Sequence, residues 1–146
     1  MKLKPCKKYD NDYFYGEWNK EGEVHGRGIY LWGNGERYEG EWKHDKKSGK
    51  GRLFYVDGDI YEGNFREGLK HGYGVYRFSS GARYEGEWKD DKKNGKGKYF
   101  YADGHIYEGD YNEGVKQGYG VYLYASGDKY AGGWFNDNME GFEVYI

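Results

Sequence analysis

A spacing of 23 residues governs this chain. Gly26, Gly49, Gly72, Gly95, Gly118 and Gly141 follow it, as do Tyr38, Tyr61, Tyr84, Tyr107 and Tyr130. The first unit carries one extra residue, within 19–25, before falling into register. So short a period over most of a chain means a stacked array, in which each unit buries its apolar side against its neighbours. A longer period overlies the first. Unit 38–60 is identical to unit 84–106 at 17 of 23 positions but to its neighbour 61–83 at only 7. Units 61–83 and 107–129 agree at 13. The array is a duplicated pair, and the two members of a pair need not face the same task.

Each unit reads as two strands. Tyr84-Glu-Gly-Glu-Trp-Lys alternates ring or glycine with charge, the period of a half-buried strand. Gly95-Lys-Gly-Lys-Tyr-Phe-Tyr is the second. Between units stand Asn34-Gly35, Asp57-Gly58, Ser80-Gly81, Asp103-Gly104 and Ser126-Gly127, which predict two-residue hairpin turns with positive φ at both residues. The expected fold is all-β. It is an elongated, single-layer antiparallel meander of 23-residue hairpins, twisted and curved, with an aromatic groove on its concave side. Residues 1–12 read as a flexible basic arm. The array follows over 13–146, in units 13–37, 38–60, 61–83, 84–106, 107–129 and 130–146.

Alternation assigns the two faces. Trp18, Trp42, Phe65, Trp88, Tyr111 and Trp134 share one face with Tyr38, Tyr61, Tyr84, Tyr107 and Tyr130. These rings are the candidate lining of a partner groove, since Trp and Tyr dominate such sites. The other face carries Glu39, Glu41, Lys43, Lys50 and Arg52 as cross-strand charge pairs. In alternate units Tyr73 with Val75, and Tyr119 with Val121, replace the basic pair and form a second candidate contact surface, for a partner or a second copy of the chain.

The whole unit Tyr84–Ile106, with Tyr-x-Gly-x-Trp, then Gly-x-Gly, an aromatic strand and a turn, resembles the MORN repeat (membrane occupation and recognition nexus). Five full copies and a sixth half-copy cover about residues 13–146. The resemblance implies a curved single-layer sheet with a groove, and cytoskeletal or membrane-junction roles, cilia and flagella included. It leaves three readings open: a scaffold that holds a helical or extended protein segment, a module that binds anionic phospholipid, and the targeting region of a larger enzyme.

Composition narrows these. The 146 residues carry 27 Gly and 31 aromatic residues, so the core is expected to be rings packed on glycine. Net charge is −2 with lysines interleaved among acids, which argues against nucleic acid and weakens the phospholipid reading. A single cysteine, Cys6, excludes an internal disulfide framework and fits a reducing, cytoplasmic setting. Cys6 reads as a free thiol in the arm, acylation being the alternative. His25, His44, His71 and His105 read as polar turn residues, and Asp57-Gly-Asp59 and Asn136-Asp-Asn138 as turns without the calcium-loop pattern. No nucleophile pairs with a histidine in a recognisable arrangement, so no enzyme, cofactor or metal is expected. Glu143 and Gly133 break the pattern of the last unit, as the end of an array requires.

Overall fold

The computed structural model of the chain describes the backbone of residues 4–9 and residues 11–140 in full. The side chain of Cys6 and the end of the last unit, with Gly141 and Glu143, lie outside the described residues. Thirteen strands follow in chain order: β1 (Lys4–Tyr9), β2 (Asp12–Trp18), β3 (Val24–Leu31), β4 (Arg37–Lys43), β5 (Lys46–Phe54), β6 (Ile60–Arg66), β7 (Leu69–Arg77), β8 (Arg83–Lys89), β9 (Lys92–Phe100), β10 (Ile106–Asn112), β11 (Val115–Leu123), β12 (Lys129–Phe135) and β13 (Asn138–Glu140). Each pairs antiparallel with the next in one open sheet. The all-β, single-sheet meander of 23-residue hairpins is therefore the fold. The segment read as an N-terminal arm contributes β1, an edge strand paired with β2 through Lys7 and Phe14. Its sequence hides this because Pro5 and four lysines replace the usual alternation. An edge tolerates both, and they discourage pairing with another chain.

The turns fall the other way round from expectation. The Asn34-Gly35 class closes as three-residue loops. Gly35 N–H donates to Trp32 C=O, Trp32 N–H donates to Glu36 C=O, and only the glycine has positive φ. That is a type I turn with a glycine bulge. The two-residue turns with positive φ at both positions sit inside the five later units instead. They are His44-Asp45, Glu67-Gly68, Asp90-Asp91, Glu113-Gly114 and Asn136-Asp137. Three of the five contain no glycine, which is why they are hard to read from sequence. Asp and Asn tolerate this backbone better than other residues, because their short side chains bond locally. Here Asp45, Asp91 and Asp137 each accept a backbone N–H from the previous unit, those of Val24, Lys70 and Lys116, at 2.7–2.8 Å.

A second irregularity recurs where each unit's two strands pair. Gly40 faces Gly51 and Trp42 faces Lys47, so Glu41 stands opposite three residues of β5. Gly49 takes positive φ in this bulge, and the Glu41 carboxylate accepts the N–H of Lys50. Glu17, Glu87 and Asp110 do the same for Arg27, Lys96 and Tyr119. Much of the outward acidic row thus satisfies bulge amides. The ion pairs seen there are Arg37–Glu39, Arg52–Glu62, Arg83–Glu85 and Lys96–Asp110.

Candidate functional site

The predicted groove rings do share one face, and there they make the core. Tyr38, Tyr61, Tyr84 and Tyr107 are 0% exposed. Trp42, Phe65, Trp88, Tyr111, Tyr130 and Trp134 are also buried, and Trp18 partly so. Each tyrosine lies down along the sheet over the glycine of the next strand. A Cβ at Gly51, Gly74, Gly97 or Gly120 would strike the ring of Tyr38, Tyr61, Tyr84 or Tyr107. Its hydroxyl donates to the carbonyl three residues on, at Glu41, Asn64, Glu87, Asp110 or Gly133, at 2.8–2.9 Å. That bond pins the ring flat.

Neighbouring units close the remaining sides. Tyr84 meets Trp88 and Tyr111 edge-on, at 5.2 and 5.3 Å between centroids, and the pattern repeats along the array. Edge-to-face packing is the favoured geometry for such rings. Trp42, Trp88 and Trp134 donate their indole N–H to the carbonyls of Gly28, Gly74 and Gly120. Burial holds the hydroxyls of Tyr38, Tyr61, Tyr84 and Tyr107 above their ordinary titration range. These rings are therefore core, and half-buried Tyr30, Trp32, Tyr55, Tyr76, Tyr99 and Tyr122 pack against them. Period-two alternation says which face a ring is on but not whether that face is covered.

The cover includes four lysines that belong to no motif. Lys47, Lys70, Lys93 and Lys116 recur every 23 residues and lay their stems over the rings. Lys70 and Lys116 stand 5.0 and 5.4 Å from the Trp88 and Trp134 rings, and Lys47 stands 5.4 Å from Trp32. A cation held over an aromatic face is attracted by the ring quadrupole. Their 23-residue spacing is visible in the sequence, but nothing local shows that their stems fold over the rings.

An open hollow lies on the opposite face. It has a volume of about 920 Å³ and reaches from β2 to β7. The backbone of Gly16, Gly28, Gly40, Gly51 and Gly63 contributes to its floor, while the side their Cβ atoms would take, as at Gly28 and Gly51, is filled by Phe14 and Tyr38 on the ring face. Its walls are Tyr15, Arg27, Ile29, Glu39, Arg52, Glu62, Tyr73 and Val75 among others. Sheet register explains the arrangement. Ile29, Glu39, Arg52, Glu62, Val75, Glu85, Lys98, Glu108 and Val121 face one another in one row across the strands. Tyr73 is 55% exposed and Tyr119, two pairs of strands further on, 57%. Of the second candidate surface, Tyr73 and Val75 line the hollow; Tyr119 and Val121 continue the same face beyond it.

The remaining candidates are structural. Nδ1 of His25, His71 and His105 accepts the N–H of His44, Asp90 and Ala125 respectively. Asp59 accepts the Tyr76 hydroxyl and the Ser79 N–H. Among the described residues, no three His, Cys, Asp or Glu side chains gather as a metal would need. No helix there is long and apolar enough to cross a membrane.

Fold and site together define a single-layer β-repeat protein with an aromatic core on one face and an open hollow on the other. The MORN repeat family matches residues 14–37, 38–60, 61–83, 84–106, 107–129 and 130–142, and the chain belongs to that family. Among solved structures it is similar to the TCP10 domain of Danio rerio CPAP, at 13% identity over 82% of this chain, with a TM-score of 0.33. The chain spans 65% of that domain's length. It is also similar to the TCP domain of Drosophila melanogaster SAS-4 (dCPAP), solved with a proline-rich motif of Ana2, at 18% identity over 90% of this chain and 84% of that one, with a TM-score of 0.32.

Proposed function

We propose that the protein is a non-catalytic interaction scaffold that takes a helical or extended segment of a protein partner on its glycine-floored face. The observation that carries this reading is the hollow itself. Tyr15 and Ile29 stand at one end of it and exposed Tyr73 with Val75 at the other, and Glu39, Arg52 and Glu62 lie between them. Apolar contacts at both ends with charges of both signs between them suit a polypeptide better than a uniformly anionic surface. Following the family resemblance, we place the scaffold at cytoskeletal structures, cilia among them. Imaging of the tagged protein in its own cells tests that placement.

Tyr73→Ser combined with Arg52→Gln is expected to reduce partner capture from cell extract at least tenfold. Both side chains are exposed, so the thermal midpoint should move by no more than about 2 °C, in keeping with surface changes of roughly half a kcal/mol. Undiminished capture by the folded double variant would refute the reading. Salt-sensitive pelleting with anionic vesicles, lost in the same variant, would turn it towards phospholipid.

A further inference from the structure

The lysine column splits in two along the duplicated pair. Lys70 Nζ bonds the Tyr55 hydroxyl at 3.2 Å and stands 3.8 Å from the Asp91 carboxylate. Lys116 repeats this with Tyr101 at 2.7 Å and Asp137 at 4.0 Å. At Lys47 and Lys93 both acceptors are gone. Trp32 and Phe78 stand where the tyrosines would, and Gly68 and Gly114 where the aspartates would. The backbone is unchanged, since Gly68 and Gly114 donate N–H to Lys47 and Lys93 C=O just as Asp91 and Asp137 do to Lys70 and Lys116. Only the carboxylates are missing, and the space is open: a Cβ on Gly68 or Gly114 would meet nothing within 4 Å.

Two ammonium groups are thus held over aromatic rings with no acceptor at hand. No described carboxylate lies within 4 Å of either. Lys47 faces Trp32, Tyr38 and Phe65, and Lys93 faces Tyr84, Tyr99 and Tyr111. Both side chains are half-buried, yet neither nitrogen is sealed from solvent. A partly desolvated charge gains more from an ionic partner than one in bulk water. The protein itself shows what fits: a carboxylate delivered from just beyond the turn.

We infer that Lys47 and Lys93 are paired docking points for two carboxylates of an extended acidic segment in a partner protein. The two lysines lie on β5 and β9, four strand spacings apart, which is about 19 Å. An extended chain rises about 3.3 Å per residue, so glutamates six positions apart span that distance and point the same way. A lipid headgroup would not be held to that spacing.

The probe is a ten-residue Ser/Thr peptide with Glu at two positions six apart, titrated onto the full chain by calorimetry. It is expected to bind, and the peptide with both Glu replaced by Gln, or with the two Glu three apart, at least tenfold more weakly. Lys47→Met with Lys93→Met keeps the stems over the rings and should lose the same tenfold. Lys46→Met with Lys92→Met removes equal charge from exposed lysines paired with Glu67 and Glu113, and should change binding less than twofold. No binding by the Glu peptide up to about millimolar, equal binding by the Gln peptide, or undiminished binding by the folded Lys47→Met/Lys93→Met variant would overturn the inference. So would phosphatidylserine vesicle binding that depends on these lysines while peptide binding does not. This pair lies on the face opposite the hollow and leaves Tyr73 and Arg52 in place, so its failure and that of the scaffold reading are separable.

Discussion

Tyr84→Ala is expected to lower the unfolding free energy by about 3–5 kcal/mol, the range for removing a large buried ring. Tyr84 is fully buried, rests on Gly97, and packs edge-on against Trp88 of its own unit and Tyr111 of the next. The loss therefore strikes the interface between units, on which an array depends. Domains of this size are stable by only about 5–15 kcal/mol, so one ring carries a large share. Tyr84→Phe separates packing from bonding. It keeps the ring and removes the bond to Glu87 C=O, for a cost of roughly 1 kcal/mol. Urea denaturation of the three proteins, followed by tryptophan fluorescence, measures both. A Tyr84→Ala midpoint within error of the parent would show that the rings are not the core.

The second large effect comes from adding atoms. Gly97→Ala is expected to cost about 2–3 kcal/mol, because its Cβ would fall within contact distance of Tyr84 Oη, Cε2 and Cζ. The ring cannot swing away, held by its hydroxyl bond and by Trp88 and Tyr111. The atoms in the way all belong to Tyr84, so the two substitutions must couple. Tyr84→Ala with Gly97→Ala should be at least about 1 kcal/mol more stable than the sum of the single changes predicts. Gly86→Ala is the contrasting case. Its Cβ would meet the backbone of Gly97 and Lys96 as well as the Tyr84 hydroxyl, so removing the ring should not rescue it. The same urea titrations, read as a double-mutant cycle, test this pair.

The repeat and the faces were legible because they are local. A period of 23 and a period of two are written in consecutive residues. Which turn carried positive φ at both residues was not, since Asn-Gly outweighs Asp-Asp on propensity alone. The outcome was fixed by Asp45, Asp91 and Asp137, whose carboxylates reach a backbone amide 21 residues back. How deeply the candidate groove rings are buried was not legible for a related reason. Alternation puts Tyr61 and Trp88 on one face, but what covers them comes from Lys70 and from the next unit's rings. The hollow is also set across strands, because its walls are raised by Ile29, Glu39, Arg52, Glu62 and Val75 from five neighbouring strands.

The scaffold reading rests on which face buries its rings. Hydroxyl-radical footprinting of the purified chain, read by mass spectrometry at each tyrosine, measures this most directly. Tyr73 and Tyr119 should be modified at least tenfold faster than Tyr38, Tyr61, Tyr84 and Tyr107. Comparable rates at Tyr61 and Tyr73 would mean that the rings are open to solvent and that the two faces have been assigned the wrong way round.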